Sequence, residues 1–515
     1  MDTGSDKNAS GPIDVDVSEQ SQSSDSKEAS ILEKQTRTRR LFSSSQLFFF
    51  SICYMGTWSA VGGNMYYAII NGGPTGWFFS YIVVFFGVMC QVASFGELAA
   101  IQPIAGAQYH WTFHYAPVSN RRFLTWLQGW ATWIGYIATL ASCFNYSTAL
   151  IEGLVQLRNP GYQLIGWHTT LIVLGTLAPL TLVNMYAFRL VPLFELLSGI
   201  LNVCLFVVFI IVLFAMSPRN AGGIFLEANI SSGWDSYFSA VNIGALSNIF
   251  LFIGFESVIH MGEETRDPKR AVPRALFWSI FSGGVMAFVT LITLLICMPS
   301  VDVILSYYSP VVGIIYECTG RSLLGTTALM SGIIIMTMAA NVAVISSVSR
   351  LTWSWARDGG LPRYFGYVDG KHRIPLRAVL LTFFLVSVLS LLNLGTETHV
   401  ALGAMVSLSS LAMYTSYAIV FGCVLYARWT TKLQLGEWNW GRAGPVLNII
   451  ALVYTIWAGV WLSFPTYLPV TSMNMNYCAP AFAAVVLGAV ILWYARARKH
   501  WAGPNRAIAN LILRE

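Results

Sequence analysis

Apolar positions run in stretches of about twenty along most of the chain, separated by short polar or basic segments. A helix needs ~20 apolar residues to cross the ~30 Å hydrocarbon core of a bilayer. On that rule the pattern predicts membrane spans over 46–69, 76–100, 123–147, 168–187, 190–216, 238–260, 276–299, 323–346, 376–395, 399–426, 446–466 and 477–495. Two boundaries are thin. The fourth and fifth spans are separated by little more than Ala187, Phe188 and Arg189, and the ninth and tenth by a few residues around Glu397.

Charge tests this map. An even number of spans puts both termini on one side. With the termini inside, only Arg158, Arg219 and Arg321 of the 30 Lys and Arg fall in outside loops. Inside loops of membrane proteins are enriched in Lys and Arg. A miscounted helix would scramble this split, so the count and the orientation support each other. Asn229 opens an Asn-Ile-Ser glycosylation sequon in a predicted outside loop, whereas the Asn8 sequon lies on the inside tail and would be silent.

Composition narrows the class further. Of 515 residues, 55% are hydrophobic and 10% charged, against about 25% charged in a soluble domain. The 18 Trp suit the boundary between acyl chains and headgroups. A net charge of +6 spread over short loops is not a nucleic-acid signature. No cleavable signal peptide is visible, and the polar first 45 residues read as a disordered cytoplasmic tail. The eight cysteines form no C-x-x-C pair and read as small buried hydrophobes, with a disulfide between Cys318 and Cys478 left open.

Function in such a bundle concentrates where helices break, because unpaired backbone survives at membrane depth only around a cavity. The first span contains Ser59 to Asn64, SAVGGN, with paired glycines. The sixth contains Phe252 to Ser257, FIGFES, which sets a glycine, an aromatic and a carboxylate at comparable depth. These spans open successive blocks of five helices, 46–216 and 217–427, as a five-plus-five inverted repeat would require. Helices eleven and twelve, 428–495, and a cytoplasmic tail, 496–515, follow. The plainer reading of Gly62 and Gly63 is close packing through small residues.

Glu256 is the sharpest single residue, since a carboxylate inside a span is rare and faces a cavity or a partner. It is a candidate counter-charge for an amine or a proton-coupling site. His260, one turn on, is a second proton-coupling candidate or the structural partner of Glu256. Glu97, Glu195 and Asn341 read as structural, and Ser346 and Ser347 as weak candidates for a cation site.

Three blocks then carry a family resemblance. GFESVIHMGEETRDPKRAVPRAL, Gly254 to Leu276, resembles the sixth-helix exit of the amino acid–polyamine–organocation superfamily. SFGELAAIQPIAGAQYHW, Ser94 to Trp111, resembles the second-helix exit of fungal amino acid/choline transporters, the group that also holds fungal GABA permeases. SRLTWSWARDGGLPRYF, Ser349 to Phe365, resembles the loop after the eighth helix. The resemblance implies an all-α integral membrane protein of about twelve helices with the leucine-transporter type of fold, broken in helices one and six. It implies that backbone near Ser59, Ala60, Gly62 and Gly63 holds a substrate carboxylate, with Phe252, Gly254, Phe255 and Glu256 facing the amine and side chain. The first helix departs from the superfamily's common G-S-G-I pattern, which leaves room for a substrate lacking a carboxylate, such as choline. Glu263 and Glu264 could pair with Arg350 and Arg357 as a cytoplasmic gate.

The function this predicts is secondary active transport of an amino acid or related amine (GABA, choline or a polyamine-like solute) as proton-coupled uptake at the plasma membrane. Proton coupling follows from the fungal resemblance. No cofactor or metal is implied, and no nucleic-acid partner. There is no phosphate loop, metal-ligand cluster or nucleophile elbow, so a pump driven by ATP or a membrane enzyme is disfavoured. Two alternatives stay open: export of an amine-containing secondary metabolite, and a nutrient sensor that binds without transporting.

Overall fold

The computed structural model describes residues 40–505 apart from 221, 371–372, 396–397, 431–432, 434 and 472–474. Glu397 and the Asn8 sequon therefore lie outside the described residues, as do most of the predicted N-terminal tail and the last ten residues of the C-terminal one.

The first apolar segment is not one helix. It is α1 (Ser44–Met55), α2 (Thr57–Ala60) and α3 (Met65–Ile70). Ser43 starts α1 through a capping box with Gln46, which satisfies two orphan N–H donors. Gly56, at φ 49°, ends it. Then come α4 (Gly73–Ile101), a short α5 (Ala107–Tyr115), α6 (Arg121–Arg158), α7 (Gly166–Tyr186) and α8 (Val191–Met216). The sixth segment is again broken, into α9 (Tyr237–Gly244), α10 (Leu246–Phe250) and α11 (Ser257–His260). It is followed by α12 (Pro268–Cys297), two short helices α13 (Val301–Leu305) and α14 (Pro310–Cys318), α15 (Leu323–Arg357), α16 (Leu376–Ser390), α17 (Thr398–Thr430), α18 (Gly444–Trp461) and α19 (Cys478–Leu492). Ten helices among the described residues are long and apolar enough to cross a membrane, and each matches a predicted span other than the first and sixth.

Three features were not in the apolar pattern. Helices α5, α13 and α14 fill segments read as connections. Helix α6, at 38 residues, is ~57 Å long at 1.5 Å per residue and overshoots the span expected at 123–147. Residues 40–45, assigned to the tail, are ordered onto the bundle. The amides of Leu41 and Phe42 donate to the Glu264 carbonyl at 2.8 and 3.0 Å, and that of Arg266 returns to the Phe42 carbonyl at 3.0 Å. The Phe42 ring, fully buried, packs edge-on to Phe50.

The helices alternate in direction, so their connections sort to two ends. At one end Phe42 meets Thr265, Arg428 holds Glu97, and the Trp501 indole donates to the Asp358 carbonyl at 2.7 Å. At the other, Ser217 donates to the Cys297 carbonyl and Thr170 to that of Ser390. The first is called the basic end below, since the basic stretches 266–274 and 496–499 lie there. Helix α8 turns Leu193, Leu197, Leu201 and Val208 outward, as a lipid-facing surface requires. Inside, where lipid supplies no hydrophobic drive, α6 and α17 are joined by hydroxyl pairs, Thr139 with Ser409 at 2.8 Å and Thr132 with Ser416 at 2.7 Å. All eight cysteines are free, including Cys318 and Cys478.

Candidate functional site

The two broken segments lie side by side against α6 and α15. Between them is a cavity of about 60 Å³. A site needs ~10–15 Å³ of such volume for one water, so the cavity takes a guest of about four to six water-sized groups. Its wall is drawn from four places: Tyr54, Met55, Gly56, Ser59 and Ala60 on the first segment; Phe250, Leu251 and Ile253 on the second; Thr139, Cys143, Tyr146 and Ser147 on α6; and Thr337, Ala340 and Asn341 on α15. No carboxylate or ammonium stands in that wall. The Tyr54 hydroxyl is buried at the edge of this mainly apolar space, beside the Ser257 side chain.

The breaks follow from local backbone chemistry. The carbonyl of Gly56 accepts from the Ala60 amide at 3.1 Å and the Ser59 hydroxyl at 2.8 Å. In the second segment the amides of Phe252, Ile253, Phe255 and Ser257 each bond three residues back, so the coil is over-tightened where a helix would bond four back. Gly254, at φ 77°, turns the chain there. A Cβ on it would also come within 2.8 Å of the Tyr54 hydroxyl, so glycine is needed twice over.

Contacts close the cavity on both sides. Away from the basic end, the Tyr146 hydroxyl donates to the Ser59 carbonyl at 3.0 Å. The ring of Tyr146 separates the cavity from a smaller one of about 20 Å³ lined by Asn64, Tyr66, Tyr67 and Ser309. Toward the basic end, His260 Nδ1 lies 2.5 Å from the Ala105 carbonyl. Below it the Arg350 guanidinium donates to Glu264 at 3.0 Å, with both side chains buried. Arg357 forks onto Glu263 at 2.9 and 3.0 Å, and Glu263 also accepts from the Ala105 amide at 3.1 Å. Beyond them Asp358 accepts from Tyr109 at 2.7 Å and lies 3.0 Å from His110 Nε2. Burial pushes the Asp358 carboxyl up, but the charge and hydrogen bond of His110, with Arg357 and Tyr109, outweigh it and hold the group down at about 2.

The residues singled out from sequence fall into distinct places. Ser59 and Ala60 line the cavity. Gly62 and Gly63 do not: a Cβ on Gly62 would strike Val311 at 2.4 Å, and one on Gly63 would strike the Tyr146 ring at 1.9 Å. Phe252 stacks on Phe85, and Phe255 packs on Phe95 and Tyr417, away from the wall. Glu256 is fully buried. Gln108 donates to one of its oxygens at 2.8 Å and the Tyr417 hydroxyl to the other. Its partner is thus not His260, which engages the Ala105 carbonyl and meets Tyr136 edge-on. Asn229 is half-buried in the connection ahead of α9, its backbone against Gly73. Glu97 accepts from Arg428 and from the Trp440 amide, and Ser346 and Ser347 bond Asn184 and the Ser257 carbonyl. Sequence reasoning missed Tyr54, Gly56 and Tyr146, and gave Asn341 no place at the site. Only Gly56 left a mark, a lone glycine in SICYMGTWSA outweighed by the pair that follows.

Comparison with known proteins sets this geometry in a family. Residues 42–511 match the model of a family described as amino acid permease. The chain belongs to the amino acid permease family. It is 28% identical over 442 residues to a Macrophomina phaseolina protein provisionally named an amino acid/polyamine transporter, covering 84% of this chain and 96% of that protein. It is 26% identical to the choline transporter of Saccharomyces cerevisiae, covering 93% of this chain and 85% of that protein. It is also 26% identical to amino-acid permease 2 of Neurospora crassa, covering 90% and 86%. This permease is a multi-pass membrane protein, and its closed cavity at the meeting of two interrupted helices is its candidate substrate site.

Proposed function

We propose that this permease is a secondary active transporter of a small amine or amino acid, working as proton-coupled uptake at the plasma membrane. In this reading the basic end faces the cytoplasm, which the distribution of Lys and Arg supports. Residues 46–216 and 217–427 act as two five-helix repeats, each opening with its interrupted segment. The observation that carries the proposal is the mainly apolar cavity between those segments, with the buried Tyr54 hydroxyl at its edge.

The wall favours a compact monoamine. A cation placed there meets the rings of Tyr54, Tyr146 and Phe250, backbone carbonyls and hydroxyls, and no carboxylate. Aromatic faces bind quaternary ammonium groups on that basis. The volume is slightly small for choline or GABA, each of seven non-hydrogen atoms, and far short of an extended polyamine. Ser59, Ala60, Gly254 and the backbone around them position the guest. Phe252, Phe255 and Glu256 form the layer behind, and Glu256 with His260 are the coupling-proton candidates. Tyr146 is the outer gate; Glu263, Glu264, Arg350 and Arg357 are the inner one.

The test is uptake into vesicles holding the purified full chain, with choline, GABA, other amino acids and polyamines as competitors, with and without an imposed pH gradient. Expected is saturable uptake of a small monoamine that an inward proton gradient accelerates. Binding of these solutes without any uptake would favour a sensor instead.

A further inference from the structure

Glu195 sits one turn into α8, on a membrane helix, with no exposed surface. No oxygen or nitrogen donor reaches either of its carboxylate oxygens. It points at α1, the half-helix that runs from the basic end to the break at Gly56. The groups around it are few. From α1 the Cys53 thiol, itself fully buried, faces it. From α15 the nearest charge is Arg350, stacked 3.8 Å over the Phe188 ring two turns earlier and bonded to Glu264. From α12 and α14 the titratable groups packed on α8 are Cys297 and Cys318, at its far end beside Leu213. Elsewhere α8 grips the first segment tightly. Trp58 donates to Asn202 at 2.6 Å, and Gly199 leaves room for the Phe49 ring.

An ionised carboxylate with no counter-charge, and only a weakly donating thiol beside it, is not tolerated in such a place, so the packed arrangement holds the neutral acid. Ionising it calls in water, and the face that can yield is α1, a short rod ending at a glycine. Resting on the transport reading for its direction, we infer that Glu195 is a proton-binding site whose occupancy controls the docking of Ser44–Met55 onto α8. Protonated, it lets α1 seal the basic end. Once the proton leaves to the cytoplasm, α1 separates and the cavity opens on that side. This is a second protonation site, on α8 and apart from the Glu256 layer.

Cys53 supplies the reporter. In the full chain in vesicles, with the other seven of its eight cysteines replaced by Ser, the rate at which N-ethylmaleimide labels Cys53 is measured from about pH 6 to about pH 9. Each rate is divided by that of the detergent-denatured protein at the same pH, which cancels the ionisation of an exposed thiol, the form in which Cys53 is labelled. The expected ratio rises by about tenfold or more across this range, the order given by titration of one linked group. In Glu195→Gln it stays low and flat, and in Glu195→Asp the rise persists. An equal rise in Glu195→Gln, or a flat ratio in the parent, overturns the inference. So does a Gln variant that fails to fold while the Asp variant folds, because the neutral side chain is the one the packed state requires. Labelling needs no substrate. Failure of uptake with an intact pH-dependent ratio would therefore strike the transport reading and spare this site.

Discussion

Tyr146 and Gly63 are tied together at the level of single atoms. The ring can lie across the cavity and reach the Ser59 carbonyl only because residue 63 has no Cβ. Gly63→Ala forces the ring or the backbone to shift, at a cost of about 1–3 kcal/mol, equivalent to about five- to 150-fold in the closed-to-open ratio. Expected is a fall in uptake of that order with little loss of folded protein, measured as initial rate against the amount recovered by size exclusion. Tyr146→Phe keeps the ring and loses one hydrogen bond, so its effect is smaller; equal effects would mean that the ring is not what closes the side away from the basic end. Glu256→Gln addresses a different property. Gln108 and the Tyr417 hydroxyl both donate to it. The substitution removes the acceptor charge and keeps the shape. If Glu256 carries the coupling proton, uptake in this variant loses its dependence on external pH; an unchanged profile would take Glu256 out of the coupling step.

At the scale of elements, the basic end is held by pairs that bridge α15 to the exit of the sixth segment. Removing one member of a buried pair leaves an unpaired charge and costs about 3–5 kcal/mol. Arg350→Met is expected to lower thermal stability by that amount, and the double variant Glu264→Gln/Arg350→Met to recover much of it. No recovery would mean that Arg350 acts through its stacking on Phe188. Asp358 lies just past α15 and ties it to α5 through Tyr109 and His110. Its carboxyl is held at about 2, below ~3.9 for an unfolded Asp. The stability it contributes is full above about pH 4 and is lost as pH falls through about 2. Asp358→Asn removes that acid-sensitive increment, so the variant's stability should change less than the parent's between about pH 4 and pH 2.

At the scale of the molecule, what the sequence made legible is what lipid enforces. Ten uninterrupted spans were visible because each must supply ~20 apolar residues in a row. The two interruptions were visible because glycine clusters within such runs need a reason. The ion pairs of Arg350 and Arg357 with Glu263 and Glu264 were anticipated, since unpaired charges at a packed end are costly. The cavity wall was not legible. Tyr54, Tyr146 and Asn341 are ordinary residues of apolar helices until folding turns them to one point, and Glu256 found Gln108 and Tyr417 at separations of 148 and 161 residues. The same contrast separates orientation from placement. Phe42 at the start and Trp501 near the end of the described chain dock at one end of the bundle, which fits an even number of crossings, but which compartment that end faces rests on Lys and Arg alone. Epitopes fused to the two termini test it directly. Both should be reached by antibody only after cells are permeabilised, and a cysteine placed at Arg321, on the opposite end, should be modified in intact cells by an impermeant thiol reagent. Both epitopes reached from outside, with Arg321→Cys shielded, would invert the molecule, making the Glu263–Arg357 end the outer gate and uptake the wrong direction for the Glu195 proton.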